Sequence, residues 1–271
     1  MAGKKPPSID ELQRAATSIR KTTTPDRIHE RLGAVVDQYD AVNYQLHYGW
    51  PFWRVRKCQS RRGFGSLSEI HYPPNPSVGR VNEQGAPMLY LSFNKFTAVQ
   101  EVGAEEGDYL HLVGYRQRDG QTLRCCTVGE INNVHKSGRA ITSHELGEEL
   151  NKVLNRLSYA GGASFVFLDA FLASLLTDVH ASKNEYIYSR TLAKLLFAGN
   201  PGYEAIHYPS VALHGSMNLA VRPDIADEML ESAGTSVIRI NRVYDYGIYD
   251  FSVVRNAKGH YADGAIDWEP R

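Results

Sequence analysis

The sequence predicts an α+β fold, and two observations lead to that prediction. Strand-like and helix-like patterns both occur along the chain, but they do not alternate regularly as they do in an α/β protein. The 271 residues are 42% hydrophobic and 22% charged, which is ordinary for a globular protein. A chain of this length can bury a sizeable core.

The chain begins with two predicted helices. Residues 1–6 are polar and are expected to form a loose tail. Ser8 is a typical N-cap before an acidic first turn, which predicts a helix through Arg20. A second helix is predicted from Pro25 through Tyr39. We assign residues 1–48 to an N-terminal helical extension, which either packs on the rest of the protein or serves a partner.

Further elements are predicted after Glu101. The runs Tyr109–Tyr115 and Thr122–Val128 predict a hairpin that turns at Arg118–Gly120. A helix is predicted over Ser143–Ala160, with a buried stripe of five residues. The stripe comprises Leu146, Leu150, Val153, Leu154 and Leu157. Later elements are helices over Phe165–Asp178 and Asn184–Phe197, strands over Tyr203–Val211, Ser236–Ile240 and Tyr249–Val254, and a peripheral polar end over 256–271.

Charge and hydropathy limit the possible partners and location. Lys plus Arg and Asp plus Glu each number 30, so no global field attracts the protein to nucleic acid, and direct nucleic-acid binding is disfavoured. The first residues are polar and lack the apolar region of a secretory signal. The longest apolar run, Gly161–Leu176, contains Asp169 and is expected to be too short to span a bilayer. These features predict a cytoplasmic protein that does not bind membranes.

No metal site or disulfide framework is predicted. Cys58, Cys125 and Cys126 lack the spacing of a zinc site and are too few for a framework of disulfides. His144 and Glu145 begin a motif that lacks the second histidine of H-E-x-x-H, so they are better interpreted as a helix start.

The stretch Gly79–Glu101 carries the strongest candidate site. Strand alternation places Leu89 and Leu91 on one face and Tyr90 on the other. An arginine, an aromatic ring and a carboxylate at Arg80, Tyr90 and Glu101 suit a ligand with phosphate, a flat ring and a sugar. A dinucleotide fits that description. The competing interpretation is solvated surface beside a half-buried strand, because these residue types are common.

Two separated blocks in this chain resemble the RES-domain family, the toxins of RES-Xre toxin–antitoxin pairs. The second block runs from Tyr186–Ala193 through Gly202–Val211 to Asn218 and Leu219. The first block matches the family pattern at Gly79, Arg80, Asn82, Gly85, Pro87, Leu89, Tyr90, Leu91, Ala98 and Glu101.

This resemblance implies a fold and a set of site residues. The implied fold is similar to that of ADP-ribosyltransferases, with a split β-sheet core and flanking helices, over a catalytic domain of residues 49–260 and a tail of 261–271. The family serine matches Ser210 or Ser189, and Ser210 is preferred because the end of a strand opens on a cleft. The implied catalytic residues are Arg80, Glu101 and Ser210, and the implied NAD contacts are Arg54, Arg80, Tyr90, Ser189 and Asn218.

The resemblance also implies an activity. NAD would be a substrate and no cofactor would be needed. The implied function is an NAD-consuming toxin or defence effector that cleaves the nicotinamide–ribose bond by hydrolysis or phosphorolysis and is inhibited by an antitoxin protein. The alternatives are transfer of ADP-ribose to a protein, or a non-catalytic module for nucleotide sensing or assembly.

Overall fold

The computed structural model describes residues 7–72 and 75–270. The predicted tail at residues 1–6 lies outside this range, as do residues 73, 74 and 271. The described chain forms two compact units. Among the described residues, unit 1 comprises 7–44, 78–83 and 125–209, and unit 2 comprises 45–72, 75–77, 84–124 and 210–270.

Helices and strands both occur in this part of the chain, which confirms the α+β prediction. The helices are α1 (Ile9–Arg20), α2 (Pro25–Val36), α3 (Ser68–His71), α4 (Lys95–Glu101), α5 (Glu130–Ser137), α6 (His144–Arg156), α7 (Tyr159–Leu176), α8 (Ile187–Gly199) and α9 (Pro223–Met229). The strands are β1 (Val42–Leu46), β2 (Phe52–Cys58), β3 (Leu89–Ser92), β4 (Tyr109–Gln117), β5 (Leu123–Thr127), β6 (Ala205–Pro209), β7 (Met217–Val221), β8 (Leu230–Tyr244), β9 (Ile248–His260) and β10 (Ile266–Trp268).

The first two helices pack inside unit 1. Ser8 is the N-cap of helix α1, as predicted, and it forms a capping box in which Ser8 and Glu11 each satisfy a backbone N–H of the other. Helix α1 lies on α7, and α2 lies on α8. Ile19, Ile28 and Leu32 are completely buried. The two helices therefore pack on α7 and α8, and a role for them in binding a partner stays a prediction.

Helix α7 is the central helix of unit 1. It has 18 residues and is long and apolar enough, by length and composition alone, to cross a membrane, so the expectation that this run is too short was wrong. The helix contacts α1, α5, α8 and β6. Asp169 on α7 is fully buried and accepts hydrogen bonds from the Tyr39 hydroxyl at 2.7 Å and the Gly129 N–H at 2.8 Å. These contacts are those of a core helix in a folded unit.

The predicted hairpin and the predicted helix over Ser143–Ala160 both differ from the structure. Strand β4 has β2 on one edge and β8 on the other, while β5 pairs in parallel with β6, so the predicted hairpin of β4 with β5 was wrong. The predicted helix over Ser143–Ala160 is interrupted because Leu157 is extended (φ −79°, ψ 152°) and Ser158 caps α7. Consequently Val153 and Leu157 are each 42% exposed and do not extend the buried stripe.

Unit 2 contains an antiparallel sheet that carries the candidate site. Its strand order is β7-β3-β2-β4-β8-β9-β10. Helix α4 packs on β2 and β3. A cluster beneath this helix comprises Val55, Ala98, Val99, Ala104, Leu110, Leu112, Ile238 and Ile240, with Trp53 packed against it. Strands β8 and β9 are longer than predicted, and β10 lies in the end of the chain that was expected to be peripheral.

Candidate functional site

Helix α4 determines where Glu101 lies. The helix is capped at Asn94, whose side chain accepts from the Phe96 N–H at 2.8 Å. One turn before the end of the helix, the fully buried Thr97 shares a hydrogen bond of 2.9 Å with Ser216. Glu101 is the last residue of α4 and is exposed. The carboxylate therefore projects from a short helix that is anchored on the sheet.

Two side chains hold one oxygen of the Glu101 carboxylate. The Ser210 hydroxyl donates to Oε1 at 2.6 Å, and the Asn218 amide donates to the same oxygen at 2.5 Å. Ser210 also accepts the backbone N–H groups of Ala212 and Leu213, each at 3.1 Å. Within the described residues, both side-chain hydrogen bonds to the carboxylate reach Oε1. The arrangement fixes the orientation of the carboxylate while its other oxygen stays available.

A second hydrogen bond sets the orientation of the Asn218 amide. Strands β3 and β7 pair so that Ser92 lies opposite Asn218, and the Ser92 hydroxyl donates to Asn218 Oδ1 at 2.7 Å. Both side chains are buried, at 4% and 6% exposure. Because Oδ1 is occupied in this way, the NH₂ group is the end that faces Glu101.

Sequence reasoning missed the role of Ser92. A signal was present, since Ser92 lies two residues after Tyr90 on the same strand and therefore on the same face. Leu89 and Leu91 are buried, and Tyr90 is half-buried, as strand alternation predicts. Tyr90 thus shares a face of the sheet with the Ser92–Asn218 pair.

Arg54 lies in unit 2 but is directed away from this cluster. Its neighbours Trp53 and Val55 pack in the cluster beneath α4, so Arg54 leaves the opposite face of β2. Its guanidinium donates to the carbonyl of Ile70 at 2.5 Å and to that of Tyr90 at 3.1 Å. Burial lowers the pKa of Arg54 to about 10, which still leaves a cation at neutral pH. In this structure Arg54 links backbone segments, and its predicted contact with NAD stays a prediction.

Arg80 and Ser189 belong to unit 1. Arg80 donates to the carbonyl of Asp178 at 3.0 Å, and its guanidinium lies 5.4 Å from the centre of the Tyr186 ring. Ser189 is 1% exposed and donates to the backbone carbonyl of Tyr186 at 3.2 Å. This bond to its own helix start is common for serine. Of the two candidate family serines, Ser210 is the one in contact with Glu101, and the roles of Arg80 and Ser189 stay predictions.

Glu101 lines neither of two cavities found among the described residues. One, of about 410 Å³, lies in unit 1 between the end of α5 and the start of α6. The other, of about 240 Å³, lies in unit 2 along β8 and β9. Across residues 7–72 and 75–270, no group of three or more His, Cys, Asp or Glu side chains is arranged to hold a metal ion. At Glu101 the contacts observed are those of a carboxylate with a hydroxyl and an amide.

Comparison with known proteins assigns the family. No curated protein matches the chain. The model of the RES domain matches residues 51–239, which is more than half of the chain and includes Glu101, Ser210 and Asn218. RES domains are associated with NAD and with toxin–antitoxin systems. The chain belongs to the RES-domain family.

Proposed function

We propose that this protein is an NAD-consuming toxin or defence effector that cleaves the bond between nicotinamide and ribose. One observation carries the proposal, namely the exposed Glu101 carboxylate whose Oε1 is held by Ser210 and Asn218. A carboxylate in a fixed orientation is what cleavage of an N-glycosidic bond needs. The family assignment supports NAD as the substrate.

The proposed reaction develops positive charge on the ribose. As the bond from C1′ to the nicotinamide nitrogen breaks, its electron pair leaves with the nicotinamide and the sugar becomes oxocarbenium-like. A carboxylate close to that sugar stabilises the transition state more than the neutral ground state of the sugar. We assign this role to Glu101. The departing nicotinamide needs little acid assistance, because the bound pyridinium is already a good leaving group.

The hydrogen bonds around Glu101 support catalysis by preorganisation. A carboxylate that is already oriented loses little further freedom when the transition state forms. Ser210 and Asn218 supply that orientation directly, and Ser92 supplies it through Asn218. Tyr90 is proposed to hold the nicotinamide ring, since its half-buried phenol lies on the same face of the sheet.

The acceptor defines the reaction class. Water would give ADP-ribose, phosphate would give its 1-phosphate, and a protein side chain would give an ADP-ribosylated protein. In each case the acceptor oxygen or nitrogen bonds to C1′ and loses a proton. We propose hydrolysis or phosphorolysis, in a cytoplasmic protein that is restrained by an inhibitory antitoxin.

Turnover of NAD by the purified full-length protein tests the proposal. Released nicotinamide and the ribosyl product are separated by chromatography and identified by mass, with and without inorganic phosphate. Glu101→Gln keeps the shape of the side chain and removes its charge, and we expect activity to fall roughly 100-fold or more. Glu105→Gln is the matched control, since Glu105 is an exposed glutamate four residues further along. Arg80→Ala tests separately the role predicted from the family pattern.

Three results would contradict all or part of the proposal. If NAD stays intact in the presence of water, phosphate and protein acceptors, the protein is not an NAD-cleaving enzyme. Calorimetric binding of NAD without turnover would instead support a nucleotide-sensing module. Equal activity of the wild type and Glu101→Gln would remove Glu101 from the mechanism even if NAD is consumed.

A further inference from the structure

The cavity of about 240 Å³ in unit 2 lies where the sheet is irregular. The pairing of β4 with β8 shifts register between Gly114 and Tyr115, which leaves Ala233 as an extra residue on β8. Gly234, the next residue, has φ 152° and lines the cavity. Bulges of this kind frequently redirect side chains next to functional sites. We call this space the β8–β9 cavity.

Two hydroxyl groups in the β8–β9 cavity have no hydrogen-bond partner among the described residues. Ser232 Oγ and Thr235 Oγ1 are both buried atoms without a bond, and both residues line the cavity. Thr235 is only 7% exposed. A buried hydroxyl without a partner is unfavourable, because the group has lost its hydrogen bonds to water and gained none in return. Such groups in a native structure usually have a ligand or water as partner, so the pair indicates an occupant with hydrogen-bonding capacity.

The charge of the lining indicates that the occupant is an anion. Arg116, Lys258 and His260 line the cavity, and none of the described lining residues is acidic. Glu231 lies nearby and pairs with Arg116 at 2.6 Å and with Arg118 at 3.4 Å, so these three side chains together still contribute one positive charge. Since the whole chain has no net charge, this excess is local. Basic side chains and hydroxyl donors together are the groups that recognise oxyanions.

The volume of the cavity suits a small anion. A cavity of about 240 Å³ is much larger than the ~30 Å³ that one water molecule takes up in the liquid. It is smaller than the roughly 300–1,000 Å³ of pockets for drug-sized ligands. We infer that the β8–β9 cavity is a binding site for a phosphate group, either as inorganic phosphate or as a phosphomonoester. The inference does not depend on cleavage of NAD.

Titration of the full-length protein followed by NMR tests this site. The backbone amides of Gly234 and Gly259 report on the cavity, and the probes are inorganic phosphate and glycerol 3-phosphate. We expect saturable shifts of both amides. Tighter binding of glycerol 3-phosphate would identify a phosphomonoester, and tighter binding of inorganic phosphate would identify the free ion.

Variants separate a built site from nonspecific attraction. Replacing Thr235 by Val and Ser232 by Ala removes both hydroxyls with little change in shape, and we expect affinity to fall roughly tenfold or more. Lys258→Ala should also weaken binding. Lys152→Ala, which removes an exposed lysine from α6, is the control and should not. A cavity that holds only water would give no saturable shift at Gly234 and Gly259 with either probe. That result, or shifts unchanged in the double variant, would overturn the inference.

Discussion

Replacing Asn218 by Asp tests how the Glu101 carboxylate is held. In the wild type the Asn218 amide donates to Glu101 Oε1 at 2.5 Å. The substitution exchanges this donor for a carboxylate oxygen at the same place, while Ser92 can still donate to the other oxygen. Two carboxylates in contact cannot both ionise without repulsion, so the pair is expected to keep one proton to a higher pH.

The magnitude follows from the distance. For two unit charges about 3 Å apart, Coulomb's law gives about 1.4 kcal/mol in bulk water and about 5.5 kcal/mol at an effective dielectric constant of 20. Glu101 is exposed, so we use the lower end of this range. A repulsion of about 1.4 kcal/mol corresponds to about one pH unit. The acid limb of the pH–activity curve should therefore move up by about one unit, with activity recovering at higher pH.

Two assays measure this effect independently. The first is nicotinamide release as a function of pH. The second is the free energy of unfolding, which does not require an enzyme. Because the folded pair in Asn218→Asp binds a proton more tightly than the unfolded chain, the stability of the variant should fall as pH rises through this range. Asn241→Asp is the control, since that amide bonds to Ser252 and not to Glu101. Superimposable pH–stability curves for Asn218→Asp and the wild type would refute the close contact with Glu101.

Three further predictions concern other contacts. Ser92→Ala should lower activity about tenfold, because the Asn218 amide loses the bond that orients it; Ser92→Thr keeps a hydroxyl and should restore activity, and equal rates in all three proteins would contradict this role. Asp169→Asn should reduce the free energy of unfolding by roughly 3 kcal/mol, since the buried carboxylate accepts from Tyr39 and from two backbone N–H groups; an unchanged denaturation midpoint would contradict it. Burial lowers the pKa of His111 to about 4. The neutral imidazole therefore contributes fully to the free energy of unfolding above about pH 6.5, and this contribution, roughly 3 kcal/mol at most, is lost as pH falls towards 4. His111→Phe should reduce the slope of the free energy of unfolding against pH by the equivalent of one proton. An unaltered slope would show that His111 does not titrate in this way.

Local signals in the sequence were sufficient for the elements that rest on local contacts. The N-cap at Ser8 and the alternation around Tyr90 were both predicted and are both observed. Each depends on residues within a few positions of one another, so the pattern contains the necessary information. The preference for Ser210 over Ser189 also rested on a local argument, the end of a strand.

Long-range pairing could not be predicted from the same signals. The runs that form β4 and β5 were predicted to pair as a hairpin, but β2 and β8 occupy the two edges of β4. No residue close to β4 in the sequence indicates that these strands are its partners. The break between α6 and α7 at Leu157 was not predicted, because Leu157 continues the helical spacing of apolar residues in α6. Ser158 acts there as the N-cap of α7. The contact of Ser92 with Asn218 spans 126 positions and follows only from the pairing of β3 with β7.

The candidate site depends on the register of one strand pair. Ser92 meets Asn218 because Leu91 lies opposite Leu219 in the β3–β7 ladder. A slip of one residue would turn every side chain of β3 to the other face, which would remove Ser92 from Asn218 and bring the two buried leucines towards solvent. The free energy of burying Leu89 and Leu91, which are 0% and 2% exposed, opposes that slip. The apolar face of β3 therefore maintains the polar contacts on its opposite face, and the orientation of the Glu101 carboxylate rests in part on leucines that do not touch it.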